Sequence, residues 1–241
     1  MLIIEKRRLI KIAIFLFITV IFFSFSKFEG KKISALSDKE TKIIVIDAGH
    51  GLPDGGAVGM NGTIESVVNL QLSKQIEKKL KNIGYKVIMT RKSENGIFDC
   101  EGGMAEKKRN DMKNRLKIIN SSNADMLISI HMNKFPDSKY SGAQVLYSSN
   151  YERSKQLAEA IQSEFQNMKD NPSKRSALKA PDGLYLMRNS SVPAVIAECG
   201  FLSNYDEEKN LNNKSYQQEL ANAVVNGIKA YYIEVYGEQE V

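Results

Sequence analysis

Two cysteines and two histidines in 241 residues leave several chemistries without material. Cys100 and Cys199 cannot make a disulfide framework, and with no CxxC pair any metal must be held by imidazole and carboxylate. Cys199 ends the apolar run VPAVIAEC as a small hydrophobe, Cys100 sits in a glycine-containing loop, and no bond between them is expected. No cluster of Lys and Arg interleaved with aromatics occurs beyond the N-terminus. That excludes the basic-patch signature of nucleic-acid binding, despite a formal net charge of +6. Lys6, Arg7, Arg8 and Lys11, less Glu5, contribute half of that charge, and the remainder is compatible with an anionic polymer as substrate. The glycine-rich stretch GHGLPDGGAVG is not a phosphate loop, because no Lys-Ser/Thr follows it, and its spacing fails as a dinucleotide fingerprint. There is no internal repeat and no low-complexity tract.

What is present begins with a leader. Lys6-Arg7-Arg8 precedes the apolar run IAIFLFITVIFF (12–23) and then Ser24-Phe25-Ser26, the layout of a signal peptide. The run is short of the ~20 residues of a full span, although residues 9–25 reach far enough for an uncleaved membrane anchor. Residues 1–26 are therefore read as signal peptide or anchor, 27–42 as a polar linker and 43–235 as one exported domain. A hydrophobic content of 42% and a charged content of 26% are ordinary for a folded domain and argue against long disorder.

Strands and helices then alternate. Strands are expected at 43–47, 85–90, 126–131, 143–148, 184–187 and 194–199, and helices at 63–82, 111–120, 151–168 and 215–235. Thr63 is the expected N-cap of the first helix, with Ile64, Val68, Leu72, Ile76 and Leu80 on one stripe; the second turns Met112, Leu116 and Ile119 inward. Residues 93–108 and 169–182 read as loops. Near-continuous apolar strands alternating with helices predict an α/β fold, a single domain with helices on both faces of the sheet.

Ligands of an open α/β sheet bind outside the carboxyl ends of its strands, and here three strands end in reactive residues. They are Asp47-Ala48-Gly49-His50, Ser129-Ile130-His131 and Ala197-Glu198. Two imidazoles at two strand ends, with carboxylates near, are the material of a His₂Glu zinc site. The third ligand is open on position alone: Glu65 opens the helix after the glycine loop, Asp47 is more suited to orienting His50 from behind, and Asp54 is a loop acid. Glu198 sits in an otherwise apolar strand, where a carboxylate is expensive unless it is paired or used; beside an activated water it would be a general base. Arg188, in LYLMRNSS, is a candidate to anchor a substrate carboxylate or polarise a carbonyl.

These segments resemble the zinc-dependent N-acetylmuramoyl-L-alanine amidases of the AmiC and LytC type. The resemblance rests on IVIDAGHG, the Glu of GTIESVVNL, SIHMN and PAVIAECGFLSN, four ordered motifs spread over 43–232. Further likeness in GGAVG, SGAQVLYSS and GLYLMRNSSVPAVIAECGFLSN is to the branch that acts on spore-cortex peptidoglycan, as is the lack of a flanking wall-binding module. Ala48 stands where many relatives have proline, and Cys199 where many have Val, Thr or Ala. The resemblance implies a mixed six-stranded sheet and one zinc ion held by His50, Glu65 and His131, so that Glu65 prevails over Asp47, with Glu198 catalytic. It further implies cleavage of the amide between N-acetylmuramic acid and L-alanine in peptidoglycan, a step toward muramic-δ-lactam and germination. Extracytoplasmic action and dependence on an accessory envelope protein complete the expectation. A zinc peptidase of the stem peptide and a silent wall-binding regulator are the alternatives.

Overall fold

The structure, a computed structural model, describes residues 41–237; the expected leader at 1–26 and all but the last two residues of the linker lie outside the described residues. Six strands form one mixed sheet: β1 (Ile43–Ala48), β2 (Lys86–Met89), β3 (Met126–Asn133), β4 (Gln144–Tyr147), β5 (Leu178–Lys179) and β6 (Ala194–Phe201). Their spatial order is β2-β1-β3-β6-β4-β5. The pairs β1–β2, β1–β3, β3–β6 and β4–β5 are parallel, and β4 runs antiparallel to β6. The helices are α1 (Glu65–Asn82), α2 (Met104–Ser121), α3 (Arg153–Gln166), α4 (Tyr185–Asn189), α5 (Tyr205–Leu211) and α6 (Lys214–Tyr236). Among the described residues no helix is long and apolar enough to cross a membrane.

The strands are apolar on both sides because both faces of the sheet are covered. Ile44, Ile46, Met126, Ile128, Ile130, Val195 and Ala197 point into one core, with Val68, Leu72, Ile76 and Leu80 of α1 and residues of α3 and α6. Val45, Leu127, Ala194 and Ile196 point into a second core, closed by Ile119 of α2 and Leu186 and Met187 of α4. The expected helices thus cover both faces.

Four local expectations change. Thr63 is not the N-cap of α1: Ile64 occupies that position without a side-chain cap and is itself exposed. The turn before α1 is held from a distance, by Glu208 of α5 accepting from Asn61 N and Thr63 N, while Thr63 Oγ1 accepts from Asn212. Helix α2 begins seven residues earlier than expected, since its first two turns are polar and carry no apolar stripe. The stretch expected as a strand at 184–187 is the short helix α4, whose apolar side chains reach the core through a single helical turn closed by Arg188 N to Leu184 O (3.0 Å). The edge strand is β5 instead, two residues inside the expected loop, and α5 is an additional helix at 205–211.

Connectivity positions the site. Helix α1 leaves β1 on one face of the sheet and leads to β2, whereas α2 returns from β2 on the other face to enter β3. The chain therefore parts in opposite directions above the carboxyl ends of β1 and β3, opening a crevice there.

Candidate metal centre

Strand β1 delivers His50 to that crevice through Gly49, whose N–H donates to Ile130 O of β3 at 3.0 Å. His50 has φ +58°, a left-handed conformation that a non-glycine residue adopts only when its surroundings enforce it. The enforcement comes from two buried arginines. Arg115 Nη2 donates to His50 O (2.5 Å) and Nη1 to Ala48 O (2.7 Å), while Arg91 donates to Ala48 O and Gly49 O at 2.8 and 2.9 Å. Strand β3 delivers His131, which lies in register with Glu198 of β6. Glu65, the first residue of α1, swings in from the side.

The three side chains converge. Glu65 Oε2 is 3.3 Å from His50 Nε2, and Glu65 Oε1 is 2.9 Å from His131 Nδ1. The donor atoms of His50, Glu65 and His131 all lie within 4.8 Å of one another. Glu65 is further held by Ala57 N (2.8 Å), Met132 N (3.2 Å) and Asn69 Nδ2 (3.3 Å). Burial works against its charge, yet the bonds to His131 and His50 outweigh it and hold the Glu65 carboxyl well below the usual range. Burial likewise opposes protonation of His50, and the carboxylates of Glu65 and Asp54 overcome it, raising the imidazole above its ordinary value. Two imidazoles and one carboxylate form a mixed nitrogen–oxygen set that fits zinc, whereas magnesium and calcium sites are built of oxygen alone. A ligand set this close also needs room beside it. A Cβ on Gly49 would stand 2.7 Å from His131 Cδ2 and closer still to Cε1 and Nε2. At Gly56 (φ +73°) it would stand 2.5 Å from Glu65 Oε2.

Glu198 faces the same cavity, of about 380 Å³, with His50 and His131 on its polar wall and Met112, Leu184, Leu186, Met187 and Ile196 on the apolar one. Glu198 Oε2 is buried and has no hydrogen-bond partner. Burial raises its carboxyl above the ordinary range, by more than the neighbouring His131 offsets. A carboxyl so placed is suited to moving a proton rather than holding a cation.

Two expected roles fall elsewhere. Asp47 does not touch His50. Its Oδ1 accepts from Arg115 (2.7 Å) and Thr90 (2.7 Å) and its Oδ2 from Ser129 (2.6 Å), because the last strand residues alternate sides and Asp47 points into the arginine layer below the crevice. The carboxylate beside His50 Nδ1 is Asp54, at 3.1 Å. Arg188 is exposed on α4 and is not among the residues lining the cavity, where the cation is Lys108. Arg91, Arg115 and Lys108 were missed in the sequence, and Asp54 was weighed there only as a third ligand. Arg115 did carry a signal: it sits on the inward stripe of Met112, Leu116 and Ile119, where an arginine requires buried partners.

Comparison with known proteins follows the same outline. The N-acetylmuramoyl-L-alanine amidase family matches residues 44–230. The germination-specific N-acetylmuramoyl-L-alanine amidase of Bacillus subtilis is 39% identical over 195 residues, covering 80% of this chain and 81% of that protein. Among solved structures, the CwlD amidase from Clostridioides difficile in complex with the GerS lipoprotein superposes with a TM-score of 0.76 at 37% identity, over 79% of this chain and 98% of that one. An N-acetylmuramoyl-L-alanine amidase from Clostridium difficile 630 superposes at 0.71 with 28% identity, over 82% and 99%.

Proposed function

Since this chain belongs to the N-acetylmuramoyl-L-alanine amidase family, we propose that it hydrolyses the amide between N-acetylmuramic acid and L-alanine in spore-cortex peptidoglycan, using one zinc ion held by His50, Glu65 and His131. The observation that carries this assignment is the convergence of those three donors within 4.8 Å beside a carboxyl, Glu198, that has a buried oxygen free of partners. Zinc at this position supplies Lewis acidity, polarising an amide carbonyl and making a water easier to deprotonate.

The protein's own part is proton management and shape. Glu198 accepts the proton of the attacking water at its partnerless Oε2, and the water oxygen bonds to the lactyl carbonyl carbon. As the carbon–nitrogen bond breaks, Glu198 returns the proton to the alanine nitrogen. The first products are a muramic acid carboxyl group, which keeps the water's second proton, and a stem peptide with a free amino group. Passage of that proton to the amine leaves carboxylate and ammonium, so atoms and charge balance. The raised affinity of Glu198 for protons suits it to both transfers. Met112, Leu184 and Ile196 give the cavity an apolar wall against which the scissile amide is held away from bulk water. Stripped muramic acid is the precursor of muramic-δ-lactam, formed after a separate deacetylation, and this places the enzyme upstream of germination.

The solved Clostridioides difficile relative is a complex with a lipoprotein, which supports an accessory envelope protein as partner here and action outside the cytoplasm. The decisive experiment is digestion of purified cortex peptidoglycan followed by mass spectrometry of the products, alongside zinc analysis of the purified protein. Release of intact stem peptides together with about one zinc per chain supports the assignment. Trimmed stem peptides would make the enzyme a peptidase, and unaltered muropeptides would make the chain a wall-binding regulator.

A further inference from the structure

The ring of His50 is held from behind. Directly after His50 the loop doubles back, with Gly51 N donating to Asp54 O at 2.9 Å and Asp54 N to Gly51 O at 3.0 Å. This tight return brings Asp54 Oδ2 to 3.1 Å from His50 Nδ1, while His50 Nε2 faces Glu65. The other oxygen, Oδ1, accepts from Gly56 N at 3.2 Å. Lys108, in the first turns of α2, reaches across the cavity rim and puts its Nζ 3.0 Å from Asp54 Oδ2. Two segments distant in sequence, the glycine loop and α2, therefore meet on one carboxylate, and within the loop that carboxylate faces one nitrogen of one imidazole.

From this arrangement we infer that Asp54 is the positioning residue of the metal centre: it fixes the orientation and tautomer of His50, committing Nδ1–H to the carboxylate and leaving Nε2 as the ligand atom, with Lys108 tethering Asp54 from α2. This inference rests on the zinc assignment above. A metal-bound histidine commonly donates its second ring N–H to a carboxylate, and losing such a partner weakens metal binding about 10- to 100-fold. The glycine-rich loop makes the support necessary. Gly49, Gly51, Gly55 and Gly56 flank His50 with no side chain to bond its ring nitrogens, and the left-handed turn at His50 fixes its main chain but not its χ2. Lys108 is half-exposed, so its contribution is the smaller one. Its position in the polar first turns of α2 brings a cation to the edge of the site.

The test separates holding the ring from merely closing the turn. Asp54→Asn keeps an oxygen for Gly56 N and the shape of the loop, whereas Asp54→Ala removes both contacts. Zinc affinity is measured by competition with a chromophoric chelator, the visible spectrum of the cobalt(II) form reports ligand geometry, and melting of the zinc-stripped proteins reports the fold. Both variants are expected to lose zinc affinity by about 10- to 100-fold and to show an altered cobalt spectrum, with melting of the stripped protein close to wild type. Lys108→Met should lose less than either. Wild-type affinity in Asp54→Ala overturns the inference, and so does a drop confined to Asp54→Ala, which would make Asp54 a turn residue only. If the unaltered protein and His131→Ala are alike in taking up no zinc, the zinc assignment fails and this inference with it.

Discussion

At the scale of single residues, Glu198 decides whether the cavity is a catalytic centre. Glu198→Gln preserves shape and leaves His50, Glu65 and His131 in place, so zinc content and melting temperature should hold. Turnover should fall by ~10²-fold or more, the scale of losing a general acid–base. An unstable variant with normal activity per folded molecule would assign Glu198 to structure instead. Gly49 offers a sharper steric test. A methyl group there meets the His131 ring, which must leave the position in which its Nδ1 faces Glu65. Gly49→Ala is therefore expected to lose zinc as fully as His50→Ala or His131→Ala while the sheet still forms, checked by metal analysis and circular dichroism. A variant that keeps full zinc would show that His131 can bind the metal from another rotamer. Both histidines and Glu198 were legible in the sequence because strand ends are legible and each stands at one. The partners of the histidines were not. Asp47 is three residues from His50 and looked like its neighbour, but strand alternation turns Asp47 toward Arg115, and the turn through Pro53-Asp54-Gly55 brings Asp54 instead.

At the scale of elements, the support beneath the crevice is a layer in which helix α2 is locked to strand β1 by charge. Arg115 is fully buried and bridges Asp47, Asp111 and the carbonyls of Ala48 and His50. Removing one partner of such a network typically costs about 3–5 kcal/mol, because the other is left buried and uncompensated. Arg115→Met should show a loss of that order in urea denaturation and a weakened zinc site as well. Unchanged stability would mean the layer is dispensable. The same layer sets an acid limit. Burial opposes ionisation of Asp47, but Arg115 with the hydroxyls of Ser129 and Thr90 brings its carboxyl from 3.8 down to about 2. A group depressed in the folded state contributes stability above its unfolded value and loses it as pH falls through the folded one. That contribution, about 2 kcal/mol for a shift of this size, should therefore drain away between roughly pH 4 and pH 2. Asp47→Asn should flatten that part of the pH–stability curve, and an unchanged slope would count against the pairing. Elements with long apolar runs, β1, β3 and β6, were recognisable from sequence alone. Short ones were not: α4 spans five residues, too few to show a period of 3.6, and its buried Leu186 and Met187 imitate a strand.

At the scale of the whole molecule, the fold class followed from alternation of apolar runs with amphipathic stretches, but the strand order did not. Nothing local indicates that β4 should run against β6, or that the last strand by position should be the two residues of β5. Such pairings are fixed by which cores the intervening helices fill. The domain boundary is open to a direct test. A protein beginning near Lys31 should remain soluble and bind zinc as the full chain does, since every element of the sheet and every proposed ligand lies beyond it. Zinc loss in that truncation would place part of the folded domain before residue 43.

The two outer strands carry a consequence for behaviour in concentrated solution. An unpaired strand margin is a template on which a second chain can add its own strand, the first step of aggregation. Here the margins are four residues long at β2 and two at β5, and each bears an exposed lysine, Lys86 and Lys179. Two copies meeting margin to margin would gain few hydrogen bonds, and at β2 they would confront like charges at Lys86. Short margins of this kind work against strand-on-strand association of two copies.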